Sequence, residues 1–461
     1  MSKKTWFWLI LLLGIAIRCY GITAPLLDTQ AWRQADTASM AANFVQHGFW
    51  PPFPQLNYDG PPPNYVELEF PLIPLLTALV WQVVGQYDII ARAIVIAFSG
   101  LTLGFIYRLG KELYDETSGL LAMVFFALNP LAIYYGRAVM PDAAMLFFMT
   151  AAAYYMVRWA KQAKDRDLIL TAGSFALAGL AKLPALMMGA PLLVPFIRRY
   201  KLTVLRHRSV WLFLGIGLLP TFAYYYLAHL QAAHTVNQFV SGIITGQMNT
   251  SFFDYTYLRK TLVQMITMPL LLLALGAPLL RKTRIGNAFV WVWLAVLLAY
   301  TIIVCSRIQL NYYLLPLLPL LSVLAGATLG RFWGETPGIM SSVLIFGLCA
   351  HLAVQGLQFY YVPQYAYLPQ AKLIEHYTQP ADLLILDDAP PMTFYYSNRK
   401  GWRLLPAQQT PQAVEALRAQ GAKLFVELPY ATVQPVLQKY LTRHYTWVAQ
   451  GSFFDLSRPK S

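Results

Sequence analysis

Residues 28–40, DTQAWRQADTASM, place Asp28, Arg33 and Asp36 close together directly after the first membrane-length apolar run. A hydrophobic chain keeps ionisable groups there at a cost, so two carboxylates beside a guanidinium read as a site for moving a proton and holding a negative charge. The small and polar residues from Arg33 to Met40 suit a short helix. Positions three apart share a helix face, so Arg33 and Asp36 point the same way. The other reading is an interfacial loop whose charges mark the membrane edge. Further ionisable residues extend the constellation: Glu67, Glu69, Arg137, Asp142, Lys182 and Arg307. Arg137 and Asp142 share the turn in YYGRAVMPDAAMLFF, and Lys182 stands in AKLPA. Taken singly, Arg137 and Lys182 would snorkel to headgroups and Asp142 would cap a helix. Taken jointly, those explanations leave the clustering of these charges unaccounted for.

The elements that must position these residues are membrane spans. Of 461 residues 57% are hydrophobic and only 12% charged, a composition that excludes a soluble globular protein. The net charge of +14 does not indicate nucleic acid, because Lys and Arg recur in small clusters between apolar runs, as the positive-inside bias distributes them. Three cysteines without paired spacing indicate neither a disulfide framework nor a metal site. With no His or carboxylate cluster at ligand spacing, no metal or other cofactor is expected.

A span needs roughly 20 apolar residues. Eleven candidates lie at residues 5–22, 91–109, 118–136, 143–159, 168–184, 185–197, 210–229, 262–280, 286–305, 312–330 and 338–360. The first resembles a signal peptide but lacks a small-x-small cleavage site, so it is expected to stay as an anchor. With Lys3 and Lys4 in the cytoplasm, alternation puts the clusters at residues 108–111, 158–166, 198–208, 281–284 and 331 inside. Residues 23–90, 137–142, 230–261, 306–311 and everything after about 361 then face outward. This requires that FPLIPLLTALVWQVV (70–84) does not cross; its two prolines and short length fit an interfacial or re-entrant helix.

After Tyr361 the composition becomes that of a small soluble α/β unit. DLLILDD (382–388) and AKLFVEL (422–428) read as buried strands, and TPQAVEALRAQG (410–421) as a helix with Thr410 at its N-cap and Gly421 past its end. VQPVLQKYLTRHY (433–445) reads as another helix. Asp387 and Asp388, without a Gly-rich phosphate loop, are expected to be a solvated strand end. The division expected is a membrane domain at 1–360, including the outer loop 23–90, and an extracytoplasmic domain at 361–461.

An acidic residue in the first outer loop, a second in the R-x-x-x-P-D turn at Arg137–Asp142, Lys-x-Pro at Lys182–Pro184 and the late NYYLLPLLPLL (311–321) together resemble GT-C fold membrane glycosyltransferases. The protein O-mannosyltransferase-like and aminoarabinose transferase-like families (glycosyltransferase family 39 type) are the most similar. The likeness implies a polytopic all-α fold of about 11 transmembrane helices with interfacial helices in the first outer loop. It also implies inverting transfer of a hexosyl or pentosyl group from a polyprenyl-phosphate sugar to an acceptor hydroxyl on a lipid, glycan or protein. The place implied is the outer face of a bacterial inner membrane, the product a cell-envelope glycan. Membrane lipids and the donor are the partners implied, without metal or nucleic acid.

Two departures from the family pattern matter. The family's Asp-Glu pair falls on Arg33 and Gln34, so the base passes to Asp36, one turn later, or to Asp28. Its Glu-Lys-Pro becomes Glu69-Phe70-Pro71, which leaves Arg33, Arg137 and Lys182 to bind the donor phosphate. Glu69, Asp142, Asn311 and Tyr312 would orient the acceptor or those cations. The competing class is a transporter or flippase for a lipid-linked sugar, which would call for repeated halves and mid-span charges; neither is visible.

Overall fold

The computed structural model describes residues 2–232, 255–308, 310–334, 336–387, 391–428, 433–448 and 453–460. The chain forms two compact units. One comprises Met1–Thr23, Ile89–Leu227 and Gly242–Tyr361, and the other Ala24–Asp88, Ala228–Ser241 and Val362–Ser461. The sequence division at 360/361 had left the outer loop with the membrane helices; in the structure Ala24–Asp88 cluster with the C-terminal residues.

The first unit is helical. It holds α1 (Lys3–Arg18), α4 (Asp88–Leu113, apart from its first residue), α5 (Glu116–Leu128), α6 (Pro130–Tyr135), α7 (Asp142–Gln162), α8 (Asp165–Ala181), α9 (Gly189–Tyr200) and most of α10 (Arg208–Ala232). Helices at Met268–Leu280, Ala288–Arg307, Leu317–Arg331 and Thr336–Leu357 complete it. Each of the eleven apolar runs is helical over most of its length. Among the described residues four helices are long and apolar enough to cross a membrane: Asp88–Leu113, Arg208–Ala232, Thr256–Ala277 and Gly338–Leu357. Small residues let helices of this unit approach closely, as suits packing where lipid tails offer no hydrophobic contrast. A Cβ on Gly326 would lie 2.5 Å from the Ala122 nitrogen, so α5 and Leu317–Arg331 meet backbone to backbone. Asn129 breaks α5 from α6. Its side chain accepts from Ala132 N–H at 3.1 Å and donates to the carbonyls of Met265 and Ile266, both at 3.0 Å. The start of α6, and the turn after it that carries Arg137, are fixed in this way.

The second unit is built on a five-stranded sheet with β1 (Leu383–Asp387), β2 (Lys400–Leu404), β3 (Ala422–Val426), β4 (Tyr445–Val448) and β5 (Phe453–Pro459) in the order β2-β1-β3-β5-β4. The β1–β2 and β1–β3 pairs are parallel, and β5 runs antiparallel to both β3 and β4. Alternate residues of β1 face opposite ways, as the pleat dictates. Ile385 packs with Val414, Leu437 and Leu441, from the helices Pro411–Ala419 and Pro435–His444. Leu384 and Leu386 pack with Met40, Leu56, Tyr58, Val66 and Leu68 of the outer loop. The outer loop thus covers one face of the sheet. It contributes α2 (Ala31–His47) and α3 (Leu72–Val84). Thirteen residues make α3 roughly 20 Å long, short of the roughly 30 Å hydrocarbon layer. Asp88 ties the loop's end to the helix Pro391–Ser397 by accepting from Tyr395 Oη at 2.6 Å and Tyr396 Oη at 2.8 Å.

Candidate active site

Alanine-rich α2 is a strong local helix former and ends at Gly48, whose φ of +90° only glycine adopts without strain. At seventeen residues it is longer than the short helix expected, and most of it is buried, including the polar Gln34, Asp36, Thr37, Ser39 and Asn43. Buried polar groups need partners, and the loop that follows supplies them. Asn43 Nδ2 donates to Gln55 O and to Asn57 Oδ1, both at 2.9 Å, which holds the loop against the helix. Tyr58 is thereby brought to Asp36, and its hydroxyl donates to Asp36 Oδ1 at 3.0 Å.

Asp36 is 4% exposed. Burial pushes its pKa up to about 7, against the opposing pull of Arg33, the Tyr58 hydrogen bond and Arg403. A carboxyl that titrates near neutrality, with a hydrogen-bonded phenol beside it, is suited to general-base work. Arg33 and Asp36 share a helix face as expected, but the Arg33 guanidinium pairs with Glu69, not with Asp36. Glu69 lies just before α3 and reaches Arg33 from outside α2. Asp28 is neither solvated nor the N-cap of α2, a position Gln30 fills. It is buried and accepts from Gln34 Nε2 at 2.5 Å. Glu67, also buried, lies 3.4 Å from His229 Nδ1.

The helical unit gathers the other candidates. Lys182 Nζ donates to Asp142 Oδ1 at 2.8 Å, and both residues are buried. Asp142 therefore pairs with a cation; the N-cap of α7 is Pro141. The Lys182 ammonium also lies over the rings of Tyr312 and Tyr313, at 4.3 and 4.6 Å, in cation–π geometry. Asn311 accepts from Tyr135 Oη at 2.6 Å and donates to Tyr360 Oη. Arg137 is fully buried, donates to Gly21 O at 2.9 Å and stands 4.8 Å over the Tyr361 ring. Snorkelling to headgroups does not describe either cation, since each is inside the protein on aromatic and polar partners.

Asp387 is no solvated strand end: it is buried, and its Oδ1 accepts from Leu428 N–H at 2.9 Å. Asp388, residues 251–254 and the Arg307 side chain lie outside the described residues. Sequence reasoning missed Tyr58, Asp59 and Arg403, which surround Asp36. NYDG between prolines reads as a turn, and nothing local links Arg403 to residues so distant in the chain. It also missed Arg18, fully buried at the end of α1, where Nε donates to Ser99 Oγ at 2.7 Å and Nη1 to Gly14 O at 2.8 Å. Among the described residues no group of three or more His, Cys, Asp or Glu side chains is placed to hold a metal ion.

Residues 63–227 match the family model described as dolichyl-phosphate-mannose-protein mannosyltransferase. No curated protein matches the sequence. Among solved structures, ArnT from Cupriavidus metallidurans bound to undecaprenyl phosphate is similar, with a TM-score of 0.73 at 14% identity over 98% of both chains. The oligosaccharyltransferase AglB from Archaeoglobus fulgidus, in complex with an inhibitory peptide and a dolichol-phosphate, gives 0.59 at 10% identity over 98% of this chain and 74% of that one. The arabinofuranosyltransferase AftD from Mycobacteria gives 0.61 at 14% identity over 97% of this chain and 39% of that one. Residues 63–227 thus resemble the protein mannosyltransferase family model, and along nearly its whole length the chain shares the fold of the ArnT and AglB structures.

Proposed function

We propose that the protein transfers a sugar, with inversion, from a polyprenyl-phosphate donor to an acceptor hydroxyl at the outer face of a bacterial inner membrane. In this reading eleven helices span the membrane, the N-terminus is cytoplasmic, and the outer loop and C-terminal domain are extracytoplasmic. The observation that carries it is the buried Asp36 carboxyl with the Tyr58 hydroxyl donating to it, a setting in which burial pushes its pKa up to about 7. The acceptor oxygen forms a bond to the anomeric carbon while the bond from that carbon to the phosphate oxygen breaks. Asp36 takes the acceptor proton, and the electron pair leaves with polyprenyl phosphate. General-base help of this kind typically contributes roughly 100- to 10,000-fold.

Arg137 and Lys182 are the proposed phosphate partners, because buried cations stabilise charge developing on the leaving group. Arg33, held by Glu69, is a further cation for the donor. Asp142 would orient Lys182, and Asn311 and Tyr312 would hold the aromatic surround of the sugar. Asp28 is the second choice for the base. Titration of undecaprenyl phosphate against the purified protein, read by native mass spectrometry, tests the cations. The wild type is expected to bind the lipid, and Arg137→Gln or Lys182→Gln to bind it at least about tenfold more weakly. Unchanged binding in both variants would remove these residues from the donor site. Lipid binding without any sugar transfer would favour a flippase.

A further inference from the structure

Two backbone hydrogen bonds join the outer loop to the edge of the C-terminal sheet. Gly401 N–H donates to Asn57 O at 3.0 Å, and Gly60 N–H donates to Gly401 O at 3.2 Å. The two loop residues that flank Tyr58 and Asp59 are therefore pinned to β2, with Arg403 two residues further along the same strand. Arg403 Nε donates to Asp59 Oδ1 at 3.0 Å, and its terminal nitrogen pairs with Asp59 Oδ2. Its guanidinium carbon lies 4.0 Å from the centroid of the Tyr58 ring and 5.0 Å from that of Trp32. Tyr58 in turn donates to Asp36. A residue of the C-terminal domain is thus two contacts away from the carboxyl to which the transfer reaction is assigned.

We propose that Arg403 is a positioning residue for the transfer reaction: it clamps Tyr58 onto Asp36 and, balanced by Asp59, sets the pH at which Asp36 becomes a competent base. The proposal rests on Asp36 being that base. It makes the C-terminal domain a working part of the site.

The charge balance gives the proposal its sign. The groups acting on Asp36 are Arg33 on its own helix, Tyr58 and Asp59 from the loop, and Arg403 from β2. Burial, the largest influence, raises the proton affinity of Asp36; Arg33 and Arg403 lower it, and Asp59 raises it. Arg33, paired with Glu69, exerts the larger pull of the two cations, and Arg403 with its counter-charge Asp59 is the pair supplied by β2 and the loop. A guanidinium stacked on Tyr58 and forked onto Asp59 has two geometric duties that a lysine cannot perform together.

The test is the pH dependence of kcat for sugar transfer by the full-length purified protein, in the wild type and in Arg403→Gln, Asp59→Asn, Arg403→Lys and Asp36→Asn. Loss of the Arg403 charge is expected to move the acid limb up by roughly half a pH unit or more, and Asp59→Asn to move it down. Arg403→Lys is expected to bring the limb back toward the wild-type position while kcat stays low. A purely structural role would lower kcat in both variants without moving the limb in opposite directions. If Arg403→Gln fails to fold, Asp59→Asn alone decides, and an unmoved or raised limb overturns the proposal. Asp36→Asn separates the two readings. Full activity in that variant would sink the base assignment itself, whereas loss of activity there with unmoved limbs in the others would sink only the role of Arg403.

Discussion

At the scale of single residues, Asp36 carries a cost that its environment makes measurable. Its folded-state pKa of about 7 exceeds the ordinary carboxyl value of 3.8, so the folded protein binds the proton more tightly than the unfolded chain. The stability Asp36 contributes is therefore full below about pH 4 and is lost as the pH rises through about 7. Three pH units correspond to about 4 kcal/mol, an order of magnitude only. Asp36→Asn cannot ionise, so it is expected to melt close to wild type at pH 4.5 and several degrees above it at pH 8. Scanning calorimetry in detergent at both pH values measures this, and equal melting temperatures at pH 8 would contradict the burial argument. How legible these residues were follows from their spacing. Arg33 and Asp36 were visible because both lie on one helical stretch after an apolar run. Their true partners were not, because Glu69, Tyr58 and Arg403 are joined to them by the tertiary fold and not by a local period.

At the scale of elements, the loop segment at residues 57–60 and strand β2 depend on Gly401. A Cβ there would stand 1.9 Å from the Leu384 carbonyl oxygen, a backbone atom of the adjacent strand that cannot step aside. Gly401→Ala is expected to cost more than about 2 kcal/mol and to loosen the outer loop, because both hydrogen bonds to that loop pass through residue 401. Protection of the Asn57–Gly60 amides in hydrogen exchange is the measurement; wild-type protection with an unchanged melting temperature would show that the pairing is unimportant. The C-terminal elements with local punctuation were readable. Thr410 does cap its helix by accepting from Ala413 N–H at 3.2 Å, and Gly421 follows that helix with φ +104°. Strands β1 and β3 lie within the apolar runs expected. By contrast β2, β4 and β5 escaped, since KGWRL, YTWV and FFDLSRP are short and mixed in polarity, and only their neighbours in the sheet make them strands.

At the scale of the whole molecule, hydropathy found where the helices are but not how the chain divides. The eleven runs are helical, the form in which a long apolar stretch satisfies its own backbone wherever it meets lipid. The outer loop's allegiance to the C-terminal sheet was hidden, because Met40, Leu56, Tyr58, Val66 and Leu68 are scattered apolar residues whose common face exists only once they fold onto β1 and β3. That arrangement puts Asp36 and the sheet in one unit, and it is on Asp36 that the functional reading depends. The most direct measurement is turnover of a polyprenyl-phosphate sugar by the purified protein with an envelope extract as acceptor, followed as release of polyprenyl phosphate in the wild type, Asp36→Asn and Asp28→Asn. With Asp36 as the base, Asp36→Asn is expected to lower turnover by roughly a hundredfold or more while the donor still binds, and Asp28→Asn to have the milder effect. Turnover in Asp36→Asn equal to that of the wild type would contradict that assignment.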